Sequence, residues 1–258
     1  MDIEQIAIKY KKSESAVWRN FDKFEDKTRL KELLFKDINL VIDTTYFGRM
    51  IFRAHGVNLH YQQVGSETIA WLCKGLDVLD NLGYSYKSVT IDGRTGFINY
   101  LKMRYANTPL QYCQFHQKQT VKRYITNNPQ TLCGVELKAL MKDLLEHDYD
   151  SFNKKFEALK NKWNVFLKER NESGEYKHRR LRGAFHSLKK NMSHLFAYKA
   201  YESLKIPNTT NSCDGYFTHF KKRINRHCGL TKNRKIKLIE FIIKNSYLGT
   251  FLHIRPNF

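Results

Sequence analysis

The topology of this chain hangs on residues 38–64, INLVIDTTYFGRMIFRAHGVNLHYQQV. Ile38 to Asp43 form an apolar run of strand length, bounded by Lys36-Asp37 before and by Thr44-Thr45 after, as a buried strand is. RMIFRA (49–54) and VNLHYQQV (57–64) are two more strand-length runs, joined across Ala54-His55-Gly56 as in a hairpin. Ser66 then opens a helix whose Ile69, Leu72, Leu76 and Leu79 form one apolar stripe ending near Gly83. KSVTID (87–92) is the next strand, running into Gly93 and a helix with Phe97 and Leu101 inward. LQYCQF (110–115) is a further strand and leads to His116. Three strands followed by helix, strand, helix and strand predict an α/β protein with a mixed sheet and flanking helices.

On the C-terminal side, residues 117–204 change to helical periodicity with many charges, and an all-helical insertion is expected there. LKALMKDLL, FNKKFEALKNKWNVFLKER and the stretch around SHLFAYKAYESL are its clearest helices, with a loop at 171–174. Two closing helices follow, at about 212–227 and 231–246. On the N-terminal side, Ile3, Ile6, Ala7 and Tyr10 recur at helical spacing, Lys11-Lys12-Ser13 breaks it, and Ala16, Val17 and Phe21 resume it behind Ser13 as N-cap. Residues 1–36 therefore read either as a helix-turn-helix-like DNA-binding segment or as an amphipathic hairpin lying on the main domain. The remaining segments are 37–116, the first part of the sheet core, and 205–258, its closing part.

Composition points at a polyanion. Lys and Arg number 45 against 25 Asp and Glu, a formal net charge of +20 in 258 residues. Nucleic acid is the first partner to expect for such a chain. A content of 41% hydrophobic residues is enough for a sizeable core and excludes wholesale disorder. Apolar runs never reach the roughly 18 residues of a membrane span, so no membrane partner is expected. Five scattered cysteines without framework spacing suit a reduced compartment, and a cytoplasmic, nucleoid-associated protein is expected.

Two strands end in acids, LVID at Asp43 and VTID at Asp92. Ligands of α/β sheets gather at the carboxyl ends of strands, so the pair points into one site. A third acid, Asp214, starts a helix announced by Asn208-Thr209-Thr210-Asn211, with Cys213, Phe217, Phe220 and Ile224 as its buried stripe. Three converging carboxylates are hard oxygen donors of the kind two divalent cations need.

With VIDTTYFGR, VTIDGRTGF, the Cys113-x-x-His116 pair and NTTNSCDGYFTHFKKRINRHCGL in view, the chain resembles the DDE transposases of bacterial and archaeal insertion sequences, in the group related to Mutator-like elements. The likeness runs from about residue 38 to the C-terminus. It implies a ribonuclease-H-like core interrupted by a helical insertion, and two-metal cleavage and strand transfer of DNA. Asp43, Asp92 and Asp214 are then the catalytic and metal-holding acids for two ions of Mg²⁺ or Mn²⁺, Asp43 being shared between the two. The expected partners are double-stranded DNA, at transposon ends and at the target, and a second copy of the chain as a homodimer in the DNA complex. The family's third acid is normally Glu, whereas position 214 is Asp. That departure is what a decayed or repurposed, binding-only relative would show.

Cys113 and His116 lack the two further ligands at zinc-finger spacing that zinc would ask for, so they are expected beside the acids or facing DNA. Lys221, Lys222, Arg223 and Arg226 form a basic run after the third acid, and Lys177, Arg179, Arg180 and Arg182 another within the helical stretch. Both runs are expected to clamp phosphates. Trp163 is expected in core packing, with stacking on an unpaired base as the alternative.

Overall fold

A computed structural model describes residues 3–25, 27, 29–30, 32–45, 47–210, 218, 221–222, 224–225 and 229–245. Five strands form one mixed sheet: β1 (Asp37–Thr45), β2 (Arg49–Ala54), β3 (Val57–Gln63), β4 (Ser85–Ile91) and β5 (Leu110–Tyr112). Their order is β3-β2-β1-β4-β5, with the first three antiparallel and β1, β4 and β5 mutually parallel. The hairpin between β2 and β3 turns on His55 and Gly56, both at positive φ (47° and 77°), as a two-residue turn matched to strand twist requires.

β1 is longer than its apolar run. Thr44 and Thr45 pair with Met50 and Arg49 of β2, so the strand continues two residues beyond Asp43. β5 is shorter than LQYCQF suggests. Gln114 gives its N–H to the Asn208 carbonyl at 3.0 Å instead of continuing the sheet, and Cys113 becomes the N-cap of the next helix.

Side-chain alternation gives the sheet two different faces. Ile38, Leu40, Ile42, Met50 and Phe52 belong to one buried cluster with the stripes of α3 (Ile69–Asn81) and α4 (Thr95–Arg104), namely Leu72, Leu76, Leu79, Phe97, Ile98 and Leu101. The N-cap of α3 is Thr68, not Ser66, because the Thr68 hydroxyl accepts the Trp71 N–H at 3.4 Å.

The helical stretch contains α5 (Gln114–Ile125), α6 (Leu132–Lys142), α7 (Tyr149–Lys162), α8 (Asn164–Lys168), α9 (Arg179–Leu195) and α10 (Ala197–Ala200). Two helices that read as continuous are broken. Trp163 leaves helical geometry between α7 and α8, and Phe196, with φ −122°, separates α9 from α10. This stretch shares its core with the sheet, since the same apolar cluster runs from Leu33 through Tyr112, Val121 and Leu188 to Phe196.

The opposite face of β2 and β3 is covered by α11 (Lys232–Lys244), whose Ile239, Ile242 and Ile243 join Ile51 and Ile224. α2 (Glu14–Lys23) lies on α11 in turn, and α1 (Ile3–Lys9) packs against α2. Arg234 grips the Asp22 carboxylate with two hydrogen bonds, at 2.8 and 2.6 Å, and lies over the Trp18 ring. Lys237 donates to the Asp22 carbonyl, and Phe24 meets Phe241 edge-on.

Over β1, β4 and β5 the same face carries buried polar side chains, Asn39, Ser88, Thr90 and Gln111, beside the apolar Val41, and a strap of chain from Leu195 to Thr210 crosses there. Gln111 binds the Leu195 carbonyl and the Tyr198 N–H, Asn39 binds the Leu204 carbonyl at 2.8 Å, and Thr90 binds the Pro207 carbonyl at 2.7 Å. Every backbone group that the strap turns inward at these points meets a matched partner, which is the condition for burying it.

Candidate acid site at the strand ends

The last registered pair between β1 and β4 is Ile42 with Ile91, so Asp43 and Asp92 are the next residues along two adjacent parallel strands. Each carboxylate bends onto the backbone that follows it. Asp43 Oδ1 accepts the Thr44 N–H at 2.8 Å, and Asp92 Oδ1 accepts the Gly93 N–H at 2.6 Å. Asp43 lies inside the sheet rather than at its rim and is 8% exposed. Arg94 stands next in sequence to this edge, but its guanidinium is ion-paired with Glu67.

β5 brings the third component. The Cys113 N–H is held by the Ile91 carbonyl at 2.9 Å, placing Cys113 at the same edge as Asp92. Its Sγ accepts the His116 N–H at 3.5 Å, so the pair occupies the first turn of α5 and is not strand, as the sequence suggests. Sγ also receives the Thr210 N–H at 3.2 Å and faces the Thr210 hydroxyl at 3.4 Å. That hydroxyl is 3.4 Å from His116 Nδ1.

The acids make themselves felt here. Burial alone would push the His116 imidazole down, but its contact with Cys113 and the charges of Asp92 and Asp43 outweigh that and hold it up at about 9. Burial first, and then the Asp92 charge, push the Tyr112 phenol up to about 12. Asp43, Asp92, Cys113 and His116 therefore share one electrostatic neighbourhood, in which an imidazolium is the counter-charge to two carboxylates.

Asp214 lies outside the described residues, as do Arg223 and Arg226. Among the described residues no group of three His, Cys, Asp or Glu side chains is arranged to hold a metal ion. The chemistry of Asp43 and Asp92 nonetheless suits a hard divalent cation: two neighbouring carboxylates supply oxygen donors and leave sites for water and phosphate.

The basic residues divide by what they touch. Lys221 and Lys222 are exposed. Lys177 faces Glu169 at 3.8 Å, and Arg179 is paired with Glu175. Arg180 binds the carbonyls of Arg123 and Tyr124 at the end of α5. Arg182 binds the Leu167 carbonyl at 3.0 Å near the end of α8 and lies 3.6 Å over the Tyr176 ring. The last two close helix ends, where exposed carbonyls favour a cation. Trp163 packs against the core with its indole N–H on Glu136 at 2.8 Å.

Sequence reasoning missed two residues at this edge. Arg49 pairs with Thr45, two positions past Asp43, and its side chain is 2% exposed. Its nearest acid is Glu240 at 3.9 Å, and its Nε and Nη2 have no hydrogen-bond partner among the described residues. Thr210 is the other, fully buried between Cys113 and His116. No described helix is long and apolar enough to cross a membrane. No protein-family model matches the chain, and no curated protein matches it either.

Proposed function

We propose that the chain is a two-metal DNA transposase, cutting at transposon ends and joining the freed 3′ ends to target DNA. The observation that carries the reading is the placement of Asp43, two residues before the end of β1, beside Asp92, the residue that follows β4, on adjacent parallel strands, with His116 inside their field. The strand order, three antiparallel strands extended by two parallel ones, is compatible with a ribonuclease-H-like core. The net charge of +20 suits a duplex DNA partner.

Asp43, Asp92 and Asp214 would hold Mg²⁺ or Mn²⁺. Two such ions supply acidification of the attacking hydroxyl and charge stabilisation of the leaving oxygen. Asp43 and Asp92 are held by the backbone N–H groups of Thr44 and Gly93, so each keeps one orientation before DNA arrives. His116, charged at neutral pH, offsets the carboxylates' mutual repulsion. Lys221 and Lys222 are exposed, Arg223 and Arg226 follow in sequence, and this basic run would meet DNA phosphates. A homodimer would bring two ends together, and the protein would act on the nucleoid in the cytoplasm.

The test is cleavage and strand transfer on end-containing duplexes with Mn²⁺, for wild type, Asp43→Asn, Asp92→Asn and Asp214→Asn. An active wild type and three variants slowed by at least about 10³-fold are expected, since each loses several kcal/mol of transition-state stabilisation. Asp at 214 favours one rival, a binding-only protein. That rival predicts DNA binding without cleavage, and revival by Asp214→Glu would mark it as a decayed enzyme.

A further inference from the structure

α5 and α9 run antiparallel along one seam. At its inner end the Gln114 side chain donates to the Leu195 carbonyl at 2.9 Å, and in the middle Asn191 Nδ2 donates to Gln117 Oε1 at 2.8 Å. At the outer end Arg180 binds the carbonyls of Arg123 and Tyr124. Gly183 lets the helices close up there, since a Cβ on it would lie 2.7 Å from Tyr124 Cε1. The inner end abuts the acid edge: a Cβ on Gly93, whose N–H holds Asp92, would lie 3.4 Å from Asn191 Nδ2.

Neither helix contains an Asp or Glu, so no acid of their own offsets their lysines and arginines. Those cations divide by helix side. Arg182 and Lys189 lie away from the seam, on the Leu167 carbonyl at 3.0 Å and near Glu157 at 3.8 Å. His116 and Arg123 each precede a residue of the seam, Gln117 and Tyr124, and His186 and Lys190 likewise precede Ser187 and Asn191. The helical period therefore sets these four along the solvent side of the seam, opposite the apolar stripes. Arg123, His186 and Lys190 are exposed. Arg123 donates to the uncharged Thr120 hydroxyl at 2.9 Å, and neither it nor Lys190 joins an ion pair among the described residues. Arg179, further out on the same side, is held by Glu175.

We propose that the α5–α9 seam is the track along which the DNA backbone leaves the acid site, with Lys190, His186 and Arg123 meeting phosphates in turn from the inner end outward. From Asn191 to Arg180 the helix rises about 16 Å, the axial span of roughly five nucleotides of one strand. An acid-free pair of helices that starts beside Asp92 suits a polyanion held at that acid. The inference rests on the transposase reading and adds to it the path of the DNA, over the helical stretch and away from the sheet.

The test compares three double variants of the full chain. Arg123→Gln with Lys190→Gln empties the seam of two charges, and Arg123→Lys with Lys190→Arg keeps both. Lys154→Gln with Lys168→Gln removes the same charge from exposed positions on α7 and α8. Two quantities are read: the slope of log affinity against log salt for duplex DNA without metal, and kcat and KM for end-containing DNA with Mn²⁺. The glutamine variant of the seam should flatten the slope by about 1.8, two phosphate contacts at about 0.9 each. It should also raise KM by about 10-fold with kcat unchanged, as loss of a contact remote from the reacting atoms does. The charge-keeping variant should retain the wild-type slope and KM, and so should the α7–α8 variant. An unmoved slope in the seam variant, or an equal fall in the α7–α8 variant, overturns the track while leaving the enzyme reading intact. If the double seam variant does not fold, Arg123→Gln and Lys190→Gln decide singly, each expected to take about 0.9 from the slope. A wild type that cleaves no DNA, beside a seam variant that alone flattens the slope, overturns the enzyme reading and leaves the seam as a DNA-binding surface.

Discussion

Gly75 on α3 faces the fully buried ring of Phe52, and a Cβ there would lie 2.0 Å from the ring's Cζ. A buried ring this close must shift against its packed neighbours, so Gly75→Ala should cost about 1–3 kcal/mol, read as a lower urea midpoint at unchanged slope. An unshifted midpoint would mean that α3 slides freely on β2. His116 carries a pH dependence whose sign follows from its raised pKa. Its contribution is complete below the unfolded value of 6.5 and is lost as pH rises through about 9. The gap in melting temperature between metal-free wild type and His116→Gln should therefore narrow from pH 6.5 to pH 9, and a constant gap would remove the acids from its surroundings. At this scale the sequence was uneven. Asp43 and Asp92 stand out because an acid ends an apolar run. Arg49 does not, because an arginine at the start of RMIFRA reads as a solvated strand end until β1 is known to extend to Thr45 opposite it.

Periodicity is local, and it shows helices and strands better than it shows what they touch. The α1–α2 pair is plain from Ser13 and the flanking spacing, yet its seat on α11 depends on Asp22 meeting Arg234, 212 residues away. The hydrogen bond to Arg234, with the arginine's charge, holds the Asp22 carboxyl below its usual range. That part of the docking is complete above the ordinary aspartate value of 3.8 and is lost as pH falls below it. Asp22→Asn should free the pair and speed proteolysis in the segment between Phe24 and Lys36, which has no regular helix or strand among its described residues. Raised salt should do the same to wild type, since an exposed ion pair is screened. Equal cleavage rates in variant and parent would show that Trp18 and Phe24 hold the hairpin alone. The boundary between β5 and α5 was illegible for a related reason. Gln114 and Phe115 extend a strand-like pattern, and only the bond from Gln114 to Asn208 ends it.

Charge belongs to the molecule as a whole. With +20 overall, affinity for duplex DNA should fall steeply with salt whatever the base sequence. Lys221→Gln with Lys222→Gln should flatten the plot of log affinity against log salt by about 0.9 for each phosphate contact removed. The same pair of changes in Arg180 and Arg182, which close helix ends, should disturb stability first; an unmoved slope in the lysine variant would make that helix a solvated surface. The strap has a consequence in time. Asn39 waits for Leu204, 165 residues later, before its side chain finds its carbonyl partner. At cellular rates of synthesis that interval is roughly 10 to 30 s. The sheet's hairpins close early on local contacts, whereas a closure this distant is the slow kind. The edge bearing Asp43 and Asp92 is thus complete only after most of the chain has left the ribosome, so a nascent fragment released early would carry the acids and the positive charge without the roof that arranges them.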